Sequence, residues 1–307
     1  MEDRGRGDLT HAQWERLRPY LPVGTGRCGR WRDHRQVING VLHRIRTGVP
    51  WRDLPHRYGP WKTVSERHRR WSEDGTWALV LHRLQAEADA EGDIDWEIAV
   101  DSTSVRAHQH AAGARRTVPM PLSSGRHSAG GLRPGVGKAV APVCEGDALG
   151  RSRGGFTTKI HLSADGRCRV LSLVLTQGQR ADCTQFEAVM RGIRVPRIGA
   201  GRPRSTPSSV SADRAYSSRA IRQYLRRRGI RHSIPEKSDQ AANRRLRGHA
   251  GGRPPGFDRD RCRKRNTVER AVSRLKNYRA VATRYDKRAY VYLGTVTVAA
   301  FMIWLRT

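Results

Sequence analysis

Apolar positions change their period once along this chain, near residue 93, and the change divides it into two textures. Up to about residue 92 the spacing is helical. Thr10-x-x-Gln13 is a capping box, and Trp14, Leu17 and Leu21 follow at helical spacing. Val37, Ile38, Val41, Leu42 and Ile45 form a second apolar stripe, which Gly48 and Pro50 stop. Trp51, Leu54 and Tyr58 then share one helical face as far as the Gly59-Pro60 break. Thr63-x-x-Glu66 predicts the cap of a further helix, with Val64 and Trp71 turned inward and Arg67, Arg69 and Arg70 outward.

From residue 94 the runs become short and β-type: 94–100, 156–162, 169–175 and 209–212. Ser217 or Ser218 caps a helix that turns Ile221, Tyr224 and Leu225 inward. Gly229 ends it, and a strand follows over 230–234. Strand, helix, strand makes this part mixed α/β. The expected organisation is an all-helical domain over 1–92 and an α/β domain over 93–307. Two stretches carry no period. Residues 111–155, rich in Gly, Pro, Ser and Arg, are too long for an ordinary connection and predict a flexible insertion; 239–260 is a second such stretch. The apolar run 290–305 contains Gly294, Thr295 and Thr297. It falls short of the ~18 apolar residues of a membrane span and predicts a buried C-terminal segment. The opening MEDRGRGDL has no apolar core of a signal peptide.

Charge changes the picture. Lys and Arg number 59 against 28 Asp and Glu, a net charge of +31 and a pI of about 11.4. A surplus spread along the whole chain calls for a polyanion, and nucleic acid leads. A membrane surface fits poorly, because the bases are not gathered in one amphipathic helix or juxtamembrane cluster. In this light helix, tight turn and basic helix over 51–72 resemble a DNA-binding helix-turn-helix, although a solvated helical hairpin has the same pattern. Five cysteines, odd in number and never at CxxC spacing, argue against a disulfide framework or zinc ribbon and fit a reducing cytoplasm.

Against that basic background three acids stand out. Asp101 follows the apolar run Ile98-Ala99-Val100, and Asp213 follows Val210-Ser211-Ala212; each is placed at a strand's end. An isolated Asp there would be read as a turn opener. Glu269 lies on a helix whose inward stripe is Val268, Val272 and Leu275, with Arg265 and Lys276 near the same face. Alone, it would be a surface ion-pair ladder. Together the three make a set of hard oxygen donors suited to Mg²⁺. Two such ions, ~3.5–4 Å apart, activate an attacking oxygen and stabilise a leaving one in phosphoryl transfer.

Longer motifs carry a resemblance. LTHAQWERLRPYLP, RQVINGVLHRIRTGVPWRDLPHRYGPWKTVSERHRRW, AVDSTSVRAHQ, GRSRGGFTTKIHL, SADRAYSSRAIR and RNTVERAVSRLKNYRAVATRYDK together make the chain resemble the DDE transposases of bacterial insertion sequences, the fifth insertion-sequence family in particular. The family signature Tyr-x2-Arg-x3-Glu-x6-Lys is kept at Arg265, Glu269 and Lys276, with Cys262 in the tyrosine position. The usual Gly-Tyr-Asp after the second acid is Ala215-Tyr216-Ser217 here. The resemblance implies an RNase H-like core and Mg²⁺-dependent cutting at the element's ends, with Mn²⁺ as a substitute. Water is the first nucleophile, and the exposed 3′-OH then attacks target DNA. It implies that Asp101 bridges two ions and that Asp213 and Glu269 each complete one. Arg265 and Lys276 position phosphate. The expected partners are the terminal inverted repeats and target DNA, with a homodimer on the DNA, in the cytoplasm on the nucleoid. His108 and His110 are read as DNA-facing or structural. Three rivals remain at this point: a DNA-binding regulator without chemistry, a nuclease that cuts and does not join, and a decayed, inactive transposase.

Overall fold

The computed structural model describes residues 7–23, 31–113, 146–152 and 154–307, apart from the side chains of Arg259, Cys262 and Lys264. Helices α1 (His11–Leu17), α2 (His34–Thr47), α3 (Trp61–Glu73) and α4 (Thr76–Ala90) come first. The sheet region runs β1 (Glu97–Ala107), α5 (Gln109–Ala112), β2 (Gly150–Ser152), β3 (Gly155–Ala164), β4 (Val170–Gln177), α6 (Phe186–Gly192), β5 (Ser209–Ala212), α7 (Arg219–Arg227) and β6 (Arg231–Ser233). It closes with α8 (Ser238–Leu246), α9 (Arg259–Lys264), α10 (Asn266–Lys276), α11 (Arg279–Ala282), β7 (Thr283–Arg284) and α12 (Ala289–Arg306).

Several local expectations hold for the reasons given. In α1 the Thr10 hydroxyl accepts from Gln13 N at 3.2 Å while the Gln13 side chain accepts from Thr10 N at 3.1 Å. The stripe of α2 is buried throughout, and Gly48 ends the helix at φ 73°. Ser218 caps α7 by accepting from Ile221 N at 3.2 Å. Other expectations fail. Residues 51–58 are two short 3₁₀ turns, Trp51–Asp53 and His56–Tyr58, because Pro55 has no N–H and biases Leu54 away from helix. Helix α3 begins at Trp61 behind Pro60, so Thr63 does not cap it. Residues 239–246 belong to α8, which buries no side chain fully and so left no apolar period to read. Most of the expected insertion 111–155 lies outside the described residues; its described ends include α5 and β2.

Strand order is β4-β3-β1-β5-β6, with β2 on the start of β3 and β7 on the end of β1. β1, β3 and β4 pair antiparallel; β5 pairs parallel to β1, and β6 parallel to β5. This is the RNase H-like mixed sheet that the resemblance implies, with α10 against β1 and β3 and α6 against β4. One continuous apolar core runs from Leu9 to Leu305. The last helix touches both the N-terminal helices and the sheet region. α12 is long and apolar enough to cross a membrane, but most of it is buried, packed on α3 and α4. Gly294 permits the approach, since a Cβ there would meet the Ser72 hydroxyl at 1.9 Å. Trp77 of α4 contacts Trp71 edge-on and also Phe301 of α12. A buried polar thread joins the same elements: Arg44 pairs with Asp286 at 3.0 Å, and Thr295 donates to Asp286 while contacting His68.

Candidate active site

The first acid is not at a strand's end. β1 runs on to Ala107, and its antiparallel pairing with β3 continues past Asp101 to Arg106. What ends is the pairing on the other side. β5 stops with Ala212 opposite Val100, and β7 begins with Thr283 opposite Arg106. Between them, among the described residues, 101–105 have a strand on one side only. Asp101 and Asp213 are the first residues past the parallel pairing on β1 and β5, so the register itself sets them side by side.

That open edge needs partners for its backbone groups. Ser102 N donates to the Asp101 carboxylate at 2.8 Å. Lys276, one face along α10 from Glu269, donates to the Ser104 carbonyl at 3.3 Å. The lysine expected to meet phosphate is therefore also a clasp between α10 and β1, and burial lowers its pKa. Asp213 opens a 3₁₀ turn, Arg214–Tyr216, and accepts from Arg214 N at 2.6 Å. Glu269 projects from the first turn of α10, where a carboxylate also suits the helix dipole.

Arg265 joins the acids. Its guanidinium reaches Glu269 at 2.6 Å and Asp213 at 3.5 Å. Burial raises the Asp101 pKa, and Asp213 and Glu269 push it further up while Ser102 N and Arg265 pull it down. All three carboxylates thus lie within electrostatic reach of one another. The donor set is oxygen alone, the chemistry of hard divalent ions. Among the described residues no group of three or more His, Cys, Asp or Glu is gathered closely enough to form a metal site as it stands. A cation is nevertheless held by two of the three acids, in the form of the Arg265 guanidinium. The set fits a divalent ion by its chemistry and by this stand-in.

The arginines of α3 are sorted differently from expectation. Arg67 is not outward. It is 9% exposed, its guanidinium stacks over Trp31 at 4.4 Å and Trp71 at 5.3 Å, and it contacts His34 Nδ1 at 3.0 Å. The long arginine stem buries readily, and two indoles offer a cation–π surface that helical spacing does not reveal. Arg69 is exposed but paired with Glu66 and Glu73 at 3.1 and 3.3 Å. Arg70 is exposed. His108 and His110 lie against each other just past β1, with Tyr285 beside His108.

A family model described as "Putative transposase of IS4/5 family (DUF4096)" matches residues 9–81, and one described as "Transposase DDE domain" matches residues 93–304. The chain belongs to the DDE transposases. Relatives of this transposase include the uncharacterized protein y4sN of Sinorhizobium fredii, 46% identical over 109 residues, which are 35% of this chain and 83% of that one. A putative transposase for insertion sequence element IS6501 of Brucella ovis is 27% identical over 156 residues, 49% of this chain and 100% of that one. Among solved structures, a pre-cleavage Mos1 transpososome aligns over 92% of this chain and 82% of its own at 10% identity and a TM-score of 0.23, an overlay too loose to bear on the fold.

Two departures from the family pattern are absorbed by the transposase's own packing. Ala215 packs partly buried against the core. The Ser217 hydroxyl donates to Gln240 at 2.7 Å and accepts from Arg222 at 3.2 Å, tying α7 to α8. Sequence reasoning missed a fourth acid. Asp182 accepts from the Ser102 hydroxyl at 2.6 Å and from Lys159 at 2.9 Å, with His161 Nδ1 at 3.9 Å. Tyr216 is buried nearby, and burial followed by Asp101 and Asp182 raises its pKa. One signal was available: Lys159 and His161 alternate as polar residues within an apolar strand, on the face that Ser102 shares through the register.

Proposed function

We propose that this transposase binds the ends of its own insertion element and catalyses end cleavage followed by strand transfer, with Asp101, Asp213 and Glu269 as the acids that hold its divalent ions. The observation that carries the reading is the convergence of the three acids at the open edge of β1, drawn together by β1–β5 register and by Arg265. When bound, Mg²⁺ or Mn²⁺ would supply Lewis-acid activation of the attacking oxygen and charge relief at the leaving oxygen. The protein's own contribution is placement. Asp101 is fixed by its strand, Asp213 by its turn and Glu269 by α10. Arg265 and Lys276 supply positive charge on the flank of the acids, where DNA phosphates would lie. The exposed Arg70 and the surplus of +31 supply sequence-independent attraction for duplex DNA. Residues 1–92 act as the principal end-binding region and 93–307 as the catalytic region, on a homodimer that pairs two ends in the cytoplasm.

The test is a supercoiled plasmid that carries the element's inverted ends, incubated with the full chain and Mg²⁺. Cut ends and joined products are expected from the wild type, and neither from Asp101→Asn, which keeps the shape and loses the charge. Asp95→Asn, ahead of the strand, should cut and join normally. Binding without cutting in the wild type would support a regulator or a decayed copy, and cutting without joining a nuclease. Wild-type rates in Asp101→Asn would remove the acid site altogether.

A further inference from the structure

Residues 101–105 of β1 pose a mechanical problem. A strand paired on both sides is held by two ladders, but among the described residues β3 alone pairs with it over the stretch that carries Asp101. A carboxylate that must hold an ion needs its orientation set to within a fraction of an ångström. Side chains replace the missing ladder. Ser102 N holds the Asp101 carboxylate at 2.8 Å, and the Ser102 hydroxyl is in turn tied to Asp182 at 2.6 Å. Asp182 is anchored by Lys159 of the neighbouring β3 at 2.9 Å, and Lys159 also donates to the Arg180 carbonyl at 2.9 Å. Behind them His161 is fully buried and bonded to Thr176 at 2.8 Å. The chain of contacts runs from the core of the sheet out to Asp101.

We propose that Asp182 is a positioning residue of the transposase: through the Ser102 hydroxyl, and anchored by Lys159, it fixes the orientation in which Asp101 meets its divalent ion. The inference rests on the role given above to Asp101. It adds a fourth acid that never touches DNA or ion itself. Removing a group that orients a metal ligand costs about 10–100-fold in metal affinity or activity. Asp182→Ala and Ser102→Ala should each show a loss of that size.

The experiment uses the full chain and three readouts: Mn²⁺ affinity by electron paramagnetic resonance titration, single-turnover end cleavage, and affinity for a labelled end. Asp182→Ala and Ser102→Ala are expected to weaken Mn²⁺ binding and cleavage about 10–100-fold with end affinity unchanged. The double variant is expected to be no worse than either single one, because both cut the same link. Ser102→Thr, which keeps the hydroxyl, is expected to rescue most of the loss in Ser102→Ala. Losses that multiply in the double variant, or Ser102→Ala with wild-type Mn²⁺ affinity, would show that Asp182 only holds its own turn and overturn the proposal. Should Asp182→Ala fail to fold by thermal denaturation, the Ser102→Ala and Ser102→Thr pair decides alone. Asp101→Asn separates the two readings: if it cuts like wild type, the acid site itself is wrong. If it is dead while Ser102→Ala and Asp182→Ala match wild type in Mn²⁺ affinity and cleavage, only the positioning role falls.

Discussion

Arg169 and Arg265 each meet two carboxylates, with opposite consequences. Beside β4, Asp165 is fully buried and accepts from Arg169 N, Arg167 N, Arg169 Nε and Arg169 Nη2 at 2.7–3.0 Å. The Arg169 guanidinium also binds Asp93 and lies 4.2 Å over the ring of Trp304. Four hydrogen bonds fill the acceptor capacity of a carboxylate, so nothing remains for a metal. At the open edge of β1, Arg265 spans Asp213 and Glu269, whose side chains are 48% and 49% exposed. These acids keep lone pairs facing solvent, beyond the contacts they make with the arginine. The same residue types make a strut in one place and leave an open, solvent-facing carboxylate pair in the other. Burial and saturation decide which.

The largest expected effect tests the open site. Asp213→Asn and Glu269→Gln should each lower single-turnover end cleavage by about 10³-fold or more, and combining them should add little, because the acids act as one unit. Thermal midpoints should stay near wild type, since neither side chain is buried. A large drop in midpoint would make the two places alike and break the contrast. The buried cluster should behave in reverse. Asp165→Asn strips Arg169 of its main partner and is expected to cost about 3–5 kcal/mol in urea denaturation. End cleavage at low temperature should survive.

Acid separates groups held dry from groups held in solvent. His68 is fully buried where α3 meets α12, and burial lowers its pKa to about 4. Its folded value lies below the unfolded one, so its contribution is whole above about pH 6.5 and is lost as pH falls toward 4. Between pH 7 and 5 that loss amounts to about 2 kcal/mol. It should appear as a falling urea midpoint in the wild type and be absent from the slope of His68→Gln. An equal slope in both would place the acid sensitivity elsewhere.

The smallest effects divide α3. Arg70→Ala should weaken end binding modestly and reduce the log–log salt slope by about 0.9, one phosphate contact. Arg67→Ala should leave that slope alone and instead cost stability on the order of 1–2 kcal/mol, through lost contact with Trp31 and Trp71. A salt slope that falls in Arg67→Ala would restore it to the DNA-facing side.

The capping box at Thr10, the stripe of α2 and the strand 209–212 were legible because each is written in residues a few positions apart; the candidate acids Asp101, Asp213 and Glu269 stood out only against the basic background. Local spacing reports local backbone geometry. Arg67 was misplaced because its partner His34 lies 33 residues away, and no period in α3 points to it. α8 was invisible for a related reason: a helix without a buried face has no stripe. Asp182 went unnoticed because an acid in a single 3₁₀ turn, Asp182–Gln185, has no pattern of its own; 80 residues separate it from Ser102.

What this sequence determined alone is the inventory: helices, strands, a basic surplus, the acids Asp101 and Asp213 at the margins of apolar runs and Glu269 on a helix. The tertiary structure decided where pairing stops. β5 ends opposite Val100 and β7 begins opposite Arg106, and only that mismatch opens the edge of β1 beside Asp101. A strand's length is a matter of local propensity, but the place where its neighbour leaves it depends on partners more than a hundred residues away. The open edge is a property of the assembled sheet and of no single segment.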